Sequence, residues 1–333
     1  MRKVSQMSIL ACTVAMTLTS GASAQSKDSS LRGSIKIDGS STVYPITEAV
    51  AEEFRAIAPK VRVTVGISGT GGGFKRFTVG ETDISDASRP IKGKEFDQTV
   101  KNNVKFIEIP VAYDGLSVVV NPKNTWVDSL TIDELKMIFL DNKAAASWHD
   151  VRSEWPDTPI EIYAPGTDSG TFDYFKEVVA GKKGSIRSDM SVSEDDNVLV
   201  RGVAGDPGAI GFFGVAYYEE NMDKLKIVPI VNPDSGKAVI PTSKTIADGE
   251  YAPFSRPLFI YVNSKSIRRP EVKRFVDFYV ANAAKLAAEV GYVKLPDSIY
   301  AKARKNIKRR TTGTCYLSAD GHKIEGPITA LYK

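Results

Sequence analysis

The sequence predicts an α/β fold, a mainly parallel sheet covered by helices, with the chain divided into two lobes. Three observations predict it. Strand-like and helix-like stretches alternate from Ser34 onward, and β-α-β order gives parallel strands with helices on their faces. Two apolar runs, near 110–120 and 257–263, read as strands buried on both faces and able to cross between lobes. The length of 333 residues is that of about two domains. On this reading lobe I is discontinuous, 33–115 plus 257–333, and lobe II is 116–256. A single larger sheet fits the same order of elements.

Each element has its own pattern. Ile35-Lys36-Ile37 alternates as a short strand, and Ile46, Ala49, Val50, Phe54 and Ile57 then recur at helical spacing. Val61 to Val65 alternates again. The run from Ile109 to Val120 reads as a long strand, and Thr131 to Phe139 as a helix with its acids, Asp133 and Glu134, placed early. Ile160 to Tyr163 is a strand, Ser169 to Val179 a helix, and Ala209 to Phe213 a buried strand. Leu258 to Val262 is the second long buried strand. Glu271 to Val290 is a helix with Val272, Phe275, Phe278 and Tyr279 on one face. The basic end from Lys305 to Lys333 packs as a strand pair or stays loose.

The N-terminus reads as a targeting signal. Arg2 and Lys3 form a basic start, Met7 to Thr19 is largely apolar, and Ala22-Ser23-Ala24 supplies small residues before a cut. That pattern predicts a signal peptide, 1–24, cleaved before Gln25, with the mature protein in the periplasm. The apolar run falls short of the ~20 residues needed to span a bilayer. Ile9-Leu10-Ala11-Cys12 loosely matches a lipoprotein cleavage box, with a lipid anchor at Cys12 as the lesser alternative. The formal charge of +4 falls by two once Arg2 and Lys3 are removed. So balanced a chain gives no electrostatic case for nucleic acid. Cys315 is the one cysteine after the leader, which excludes an internal disulfide and a cysteine-built zinc site. No cofactor is expected.

Three small, hydroxyl-rich turns carry the chemistry: Asp38 to Pro45, Gly66 to Phe74 and Gly166 to Thr171. Each sits between a strand and a helix. A helix start offers unpaired N–H groups and partial positive charge, glycine admits close approach, and Ser and Thr add rotatable donors. Any one such turn reads first as an N-cap. Three together point to a tetrahedral oxyanion. A fourth segment, Asp83 to Pro90, brings Arg89, whose planar fork suits phosphate oxygens. Gly71-Gly72-Gly73-Phe74-Lys75-Arg76 lacks the ending of a P-loop, and Phe74 breaks the dinucleotide fingerprint.

These segments, with Gly208-Ala209-Ile210-Gly211-Phe212, resemble in order and spacing the phosphate-binding proteins of high-affinity phosphate ABC importers, the PstS type. The resemblance covers nearly all of the mature chain. It implies a periplasmic-binding-protein-like fold, two α/β lobes joined by crossover strands and closing over one ion in the cleft. It implies a phosphate site of Ser41, Thr42, Val43, Thr70, Gly71, Ser169, Gly170 and Thr171, to which the reading of the fourth segment adds Ser88 and Arg89. It also implies delivery to the membrane permease subunits of an importer. The chain is expected to be a monomer and not an enzyme, with the surface charges Lys92, Lys94 and Lys182 available for docking. The chain departs from the family at two points. Many relatives carry aspartate where Ser88 stands, and arginine where Pro165 stands. Arg89 is then expected to supply the missing charge from the other lobe. The lost aspartate matters because hydrogen phosphate carries a proton that needs an acceptor and sulfate does not. Asp168, Asp196 and Asp38 are candidate acceptors, with Asn197 a further residue for the cleft.

Beside the phosphate reading stand two others that act on a ligand or substrate. One is a binder of sulfate, molybdate or another oxyanion. The other is a secreted serine hydrolase or phosphatase acting through Ser169. That chemistry needs a general base, and only His149 and His322 exist. A scaffold that reuses the fold without a ligand is a third use of the same architecture.

Overall fold

The computed structural model describes residues 30–333 apart from 167, 168, 182, 183, 194 and 319. The leader, Cys12, Asp168 and Lys182 therefore lie outside the described residues. The chain opens with β1 (Gly33–Gly39), α1 (Tyr44–Ile57), β2 (Val61–Gly66), α2 (Gly69–Phe77), β3 (Ile84–Ala87), α3 (Gly93–Lys101) and β4 (Phe106–Val120). Next come α4 (Ile132–Phe139), α5 (Trp148–Val151), β5 (Glu161–Pro165), α6 (Gly170–Val179), β6 (Ser191–Ser193) and α7 (Asp196–Gly205). They are followed by β7 (Ala209–Gly214), α8 (Val215–Glu219), β8 (Lys226–Ile227), β9 (Ile230–Val231), β10 (Ala238–Val239) and α9 (Ser243–Ala247). The chain closes with β11 (Ser255–Asn263), α10 (Pro270–Glu289), α11 (Asp297–Arg309) and α12 (Ile328–Leu331).

The strands run in the order β2-β1-β3-β11-β4-β7-β5-β6, with β8 against β4. Within each half the β-α-β units pair in parallel, β1 with β2 and β3, and β5 with β6 and β7. The crossing strands run the other way. β11 is antiparallel to β3 and β4, and β4 is antiparallel to β7. All fifteen residues of β4 are buried. Its first half pairs β11 and its second half pairs β7, so one strand belongs to both lobes.

Local sequence explains how the helices seat. Ile46, Val50, Phe54 and Ile57 make one apolar stripe of α1, and Phe54 meets Phe275 of α10 edge to face, ring centroids 5.2 Å apart. Pro45 lies in the first turn of α1, where its missing N–H costs nothing. Thr131 caps α4, accepting from the Glu134 amide at 3.1 Å while Glu134 reaches back to the Thr131 amide at 2.8 Å. In lobe II, Phe175 of α6 stacks on Phe212 of β7 at 3.9 Å and on Phe254 at 5.7 Å. That stack fixes α6 against the start of β11.

The C-terminal end packs on lobe I. Gly313 bridges to Ile107 of β4 and Leu317 to Lys323. The Tyr332 hydroxyl donates to the Glu108 carbonyl at 2.9 Å.

Candidate anion-binding cleft

The hydroxyl-rich turns follow the C-terminal ends of parallel strands, the usual ligand edge of an α/β sheet. A cleft of about 700 Å³ opens there. Ser40, Ser41, Thr42, Thr70, Gly71, Ser88, Arg89, Pro90 and Lys92 line it from lobe I. Asp173, Tyr174, Lys176 and Glu177 of α6 line it opposite, and Arg256 and Pro257 of β11 lie between.

The first turn leads into α1. Tyr44 donates its amide to the Ser40 carbonyl at 3.0 Å, whereas the amides of Ser41, Thr42 and Val43 have no protein acceptor among the described residues. Val43 is fully buried behind this turn. The second turn leads into α2, and close packing sets its position. A Cβ on Gly73 would come within 2.6 Å of the Gly39 Cα and 2.8 Å of the Ser85 hydroxyl, so only glycine lets α2 lie on β1. The Thr70 hydroxyl pairs with the Ser88 hydroxyl and accepts from the Ser88 amide, both at 3.1 Å. The third turn leads into α6. Ser169 caps it, its hydroxyl accepting from the Thr171 amide at 3.2 Å. Gly170 faces Thr42 across the cleft, where an added Cβ would stand 3.1 Å from the Thr42 Cα.

Six of the ten expected site residues thus line the cleft: Ser41, Thr42, Thr70, Gly71, Ser88 and Arg89. Val43 lies behind it, and Ser169, Gly170 and Thr171 form the helix start whose Gly170 abuts Thr42. The Arg89 guanidinium is held by Glu95 through two bonds, 2.7 and 2.9 Å, and by the Pro90 carbonyl at 3.1 Å. The described candidate proton acceptors point elsewhere. Asp38 pairs with Arg76 at 2.8 Å and accepts from the Ser68 amide at 3.1 Å. Asp196 lies in the first turn of α7, and exposed Asn197 bonds Asp195 at 3.0 Å. Neither lines the cleft. The carboxylates that do are Asp173 and Glu177. His149 meets the Trp155 carbonyl at 3.3 Å, and neither histidine lines the cleft.

Sequence reasoning missed Arg256. Its Nε and Nη2 sit 3.1 Å from Asp114, Nη2 donates to the Thr42 hydroxyl at 3.1 Å, and Nη1 reaches Glu177 at 3.4 Å. Its guanidinium lies 3.7 Å from the centroid of the Tyr174 ring. Burial raises the Asp114 carboxyl pKa and the Arg256 charge opposes the rise. Asp114 is the sole carboxylate between Ile109 and Val120. A charge inside such an apolar strand requires a cationic partner, and that was the available signal.

The comparisons with known proteins agree with this geometry. A model described as a PBP superfamily domain matches residues 24–283. Protein SphX of Synechococcus elongatus is 50% identical over 307 residues, spanning 92% of this chain and 90% of its own. The phosphate-binding protein PstS of Staphylococcus haemolyticus is 42% identical over 280 residues, spanning 84% and 86%. Among solved structures, a possible phosphate binding protein from Planctomyces limnophilus superposes with a TM-score of 0.82 at 45% identity, covering 84% of this chain and 99% of that one. With a two-lobed α/β frame, helix starts on both sides of one cleft and relatives of this identity along most of its length, the chain belongs to the PBP superfamily and, within it, to the family of the SphX and PstS proteins.

Proposed function

We propose that this protein is an exported solute-binding protein that captures inorganic phosphate by lobe closure and delivers it to the permease subunits of an ABC importer. The observation that carries the reading is the meeting of helix starts and hydroxyls from both lobes at one cleft: Thr42 and Thr70 on one side, Gly170 against Thr42 on the other. The ion is bound by the amides of Ser41, Thr42 and Val43, which have no protein acceptor among the described residues, by Thr70, Gly71 and Ser88, and by Ser169, Gly170 and Thr171 once the Ser169 cap yields, with Arg89 on the wall. A bridging ion stabilises the closed arrangement over the open one. The lobes divide at 115/116 and 256/257, where β4 and β11 pass between them. The protein works as a monomer in the periplasm after cleavage before Gln25, and performs no catalysis.

The test is calorimetric titration of phosphate, with sulfate as competitor, into mature protein unfolded and refolded to remove carried ligand. Phosphate binding undisturbed by sulfate supports the reading. Binding of sulfate alone moves the protein to a neighbouring oxyanion, and binding of neither removes the support for an importer.

A further inference from the structure

We propose that Arg256 is the residue whose charge holds the anion, with Asp114 fixing it from the strand behind and Glu177 as the carboxylate that the anion displaces. This deepens the phosphate reading and rests on it. Arg256 stands on β11 directly opposite Asp114 of β4, where the two crossover strands leave lobe I. From there its guanidinium touches Thr42 of lobe I and Tyr174 and Glu177 of lobe II. An ion bound to it contacts both lobes at once.

Its partners differ in how firmly they hold. The Asp114 side chain is 3% exposed and pairs at 3.1 Å. Separating that pair leaves a buried charge uncompensated, so Asp114 stays. The Tyr174 hydroxyl is anchored to the Pro253 carbonyl at 2.7 Å, so the ring beneath the guanidinium is fixed too. The Glu177 side chain is 57% exposed and its contact is long, 3.4 Å. Such a pair is screened by water and worth little. A phosphate oxygen gives Nη1 a shorter charge-assisted bond. Arg89 lacks this opening, because its fork is already closed on Glu95 by two short bonds. Of the two arginines on the cleft wall, Arg256 is thus the one with a guanidinium nitrogen held only by a long, exposed contact.

The test is calorimetric titration of inorganic phosphate into wild type, Arg256→Lys, Arg89→Met, Glu177→Gln and the double variant Arg256→Met with Asp114→Asn. The double variant avoids a stranded buried carboxylate, and thermal unfolding checks that each variant is folded. Arg256→Lys keeps the charge and loses the fork, so affinity should fall about tenfold; the double variant should lose about a hundredfold or more. Arg89→Met should lose less than the double variant, and Glu177→Gln should bind more tightly. Equal affinity in wild type and the double variant, or a larger loss in Arg89→Met, overturns the assignment. Weaker binding in Glu177→Gln overturns displacement of Glu177. A wild type that binds no phosphate sinks the functional reading itself, which separates the two failures.

Discussion

At the residue scale a marked electrostatic departure is Asp86, at the base of the first turn. Its carbonyl accepts the Ser40 amide at 3.0 Å, while its side chain is fully buried. Burial pushes its carboxyl up to about 8, Thr47 opposes the shift and nearby Asp38 adds to it. The folded value lies above the unfolded one of about 3.9. The contribution of Asp86 to stability is therefore complete below pH ~4 and is lost as pH rises to about 8, at up to ~1.4 kcal/mol per pH unit. Asp86→Asn cannot ionise. Unfolding midpoints measured from pH 5 to 9 should fall for wild type and stay flatter for the variant, which should be the more stable at pH 8–9. Parallel profiles would show that Asp86 titrates as an ordinary carboxyl.

At the scale of elements, the start of α6 is where sequence and site meet most directly. The small-residue turn Gly166 to Thr171 was legible as a helix start, and Ser169 caps α6; on the proposed function that cap opens when the helix start takes the anion. The apposition of Gly170 and Thr42 was not legible, because it depends on two helices from different lobes. At 3.1 Å from two Thr42 atoms, an added methyl group is tighter than ordinary contact. Gly170→Ala should hold the lobes apart by a few tenths of an ångström and weaken phosphate binding about tenfold, or ~1.4 kcal/mol. Alanine favours a helix over glycine by ~1 kcal/mol, so thermal stability should not fall. Loss of stability with affinity intact would show that Gly170 serves the helix and not closure.

At the scale of the whole molecule, the C-terminal end acts as a clasp on the crossover strand. Glu108 of β4 is buried, and its carboxylate accepts from the Tyr261 hydroxyl at 2.8 Å, the Thr314 hydroxyl at 2.5 Å and the Cys315 amide at 3.1 Å. Two of these three donors come from the tail. None of the described residues of the tail lines the cleft. Thr314→Val should therefore cost ~1–3 kcal/mol, the penalty for stripping a partner from a buried acceptor, read as a lower urea midpoint. Deletion of residues 311–333 should cost more. Phosphate affinity of folded Thr314→Val should equal that of wild type, and a matching loss of affinity would tie the tail to closure instead.

What the sequence determined by itself was local. Apolar periodicity placed the principal strands and helices, because burial on one face leaves a period of 3.6 or 2 in the chain. The turns that face the cleft were visible because glycine and hydroxyl residues at helix starts have few other uses in such number. The tertiary structure alone decided which partners each charge meets. Arg89, adjacent to the turns in sequence, is tied to Glu95, and Arg256, 214 residues from Thr42, lies beside it. Asp38, Arg76 and Ser68 likewise form a support behind the second turn. A charged side chain takes its role from the partners within a few ångströms of it, and those come from strands that only the assembled sheet brings together.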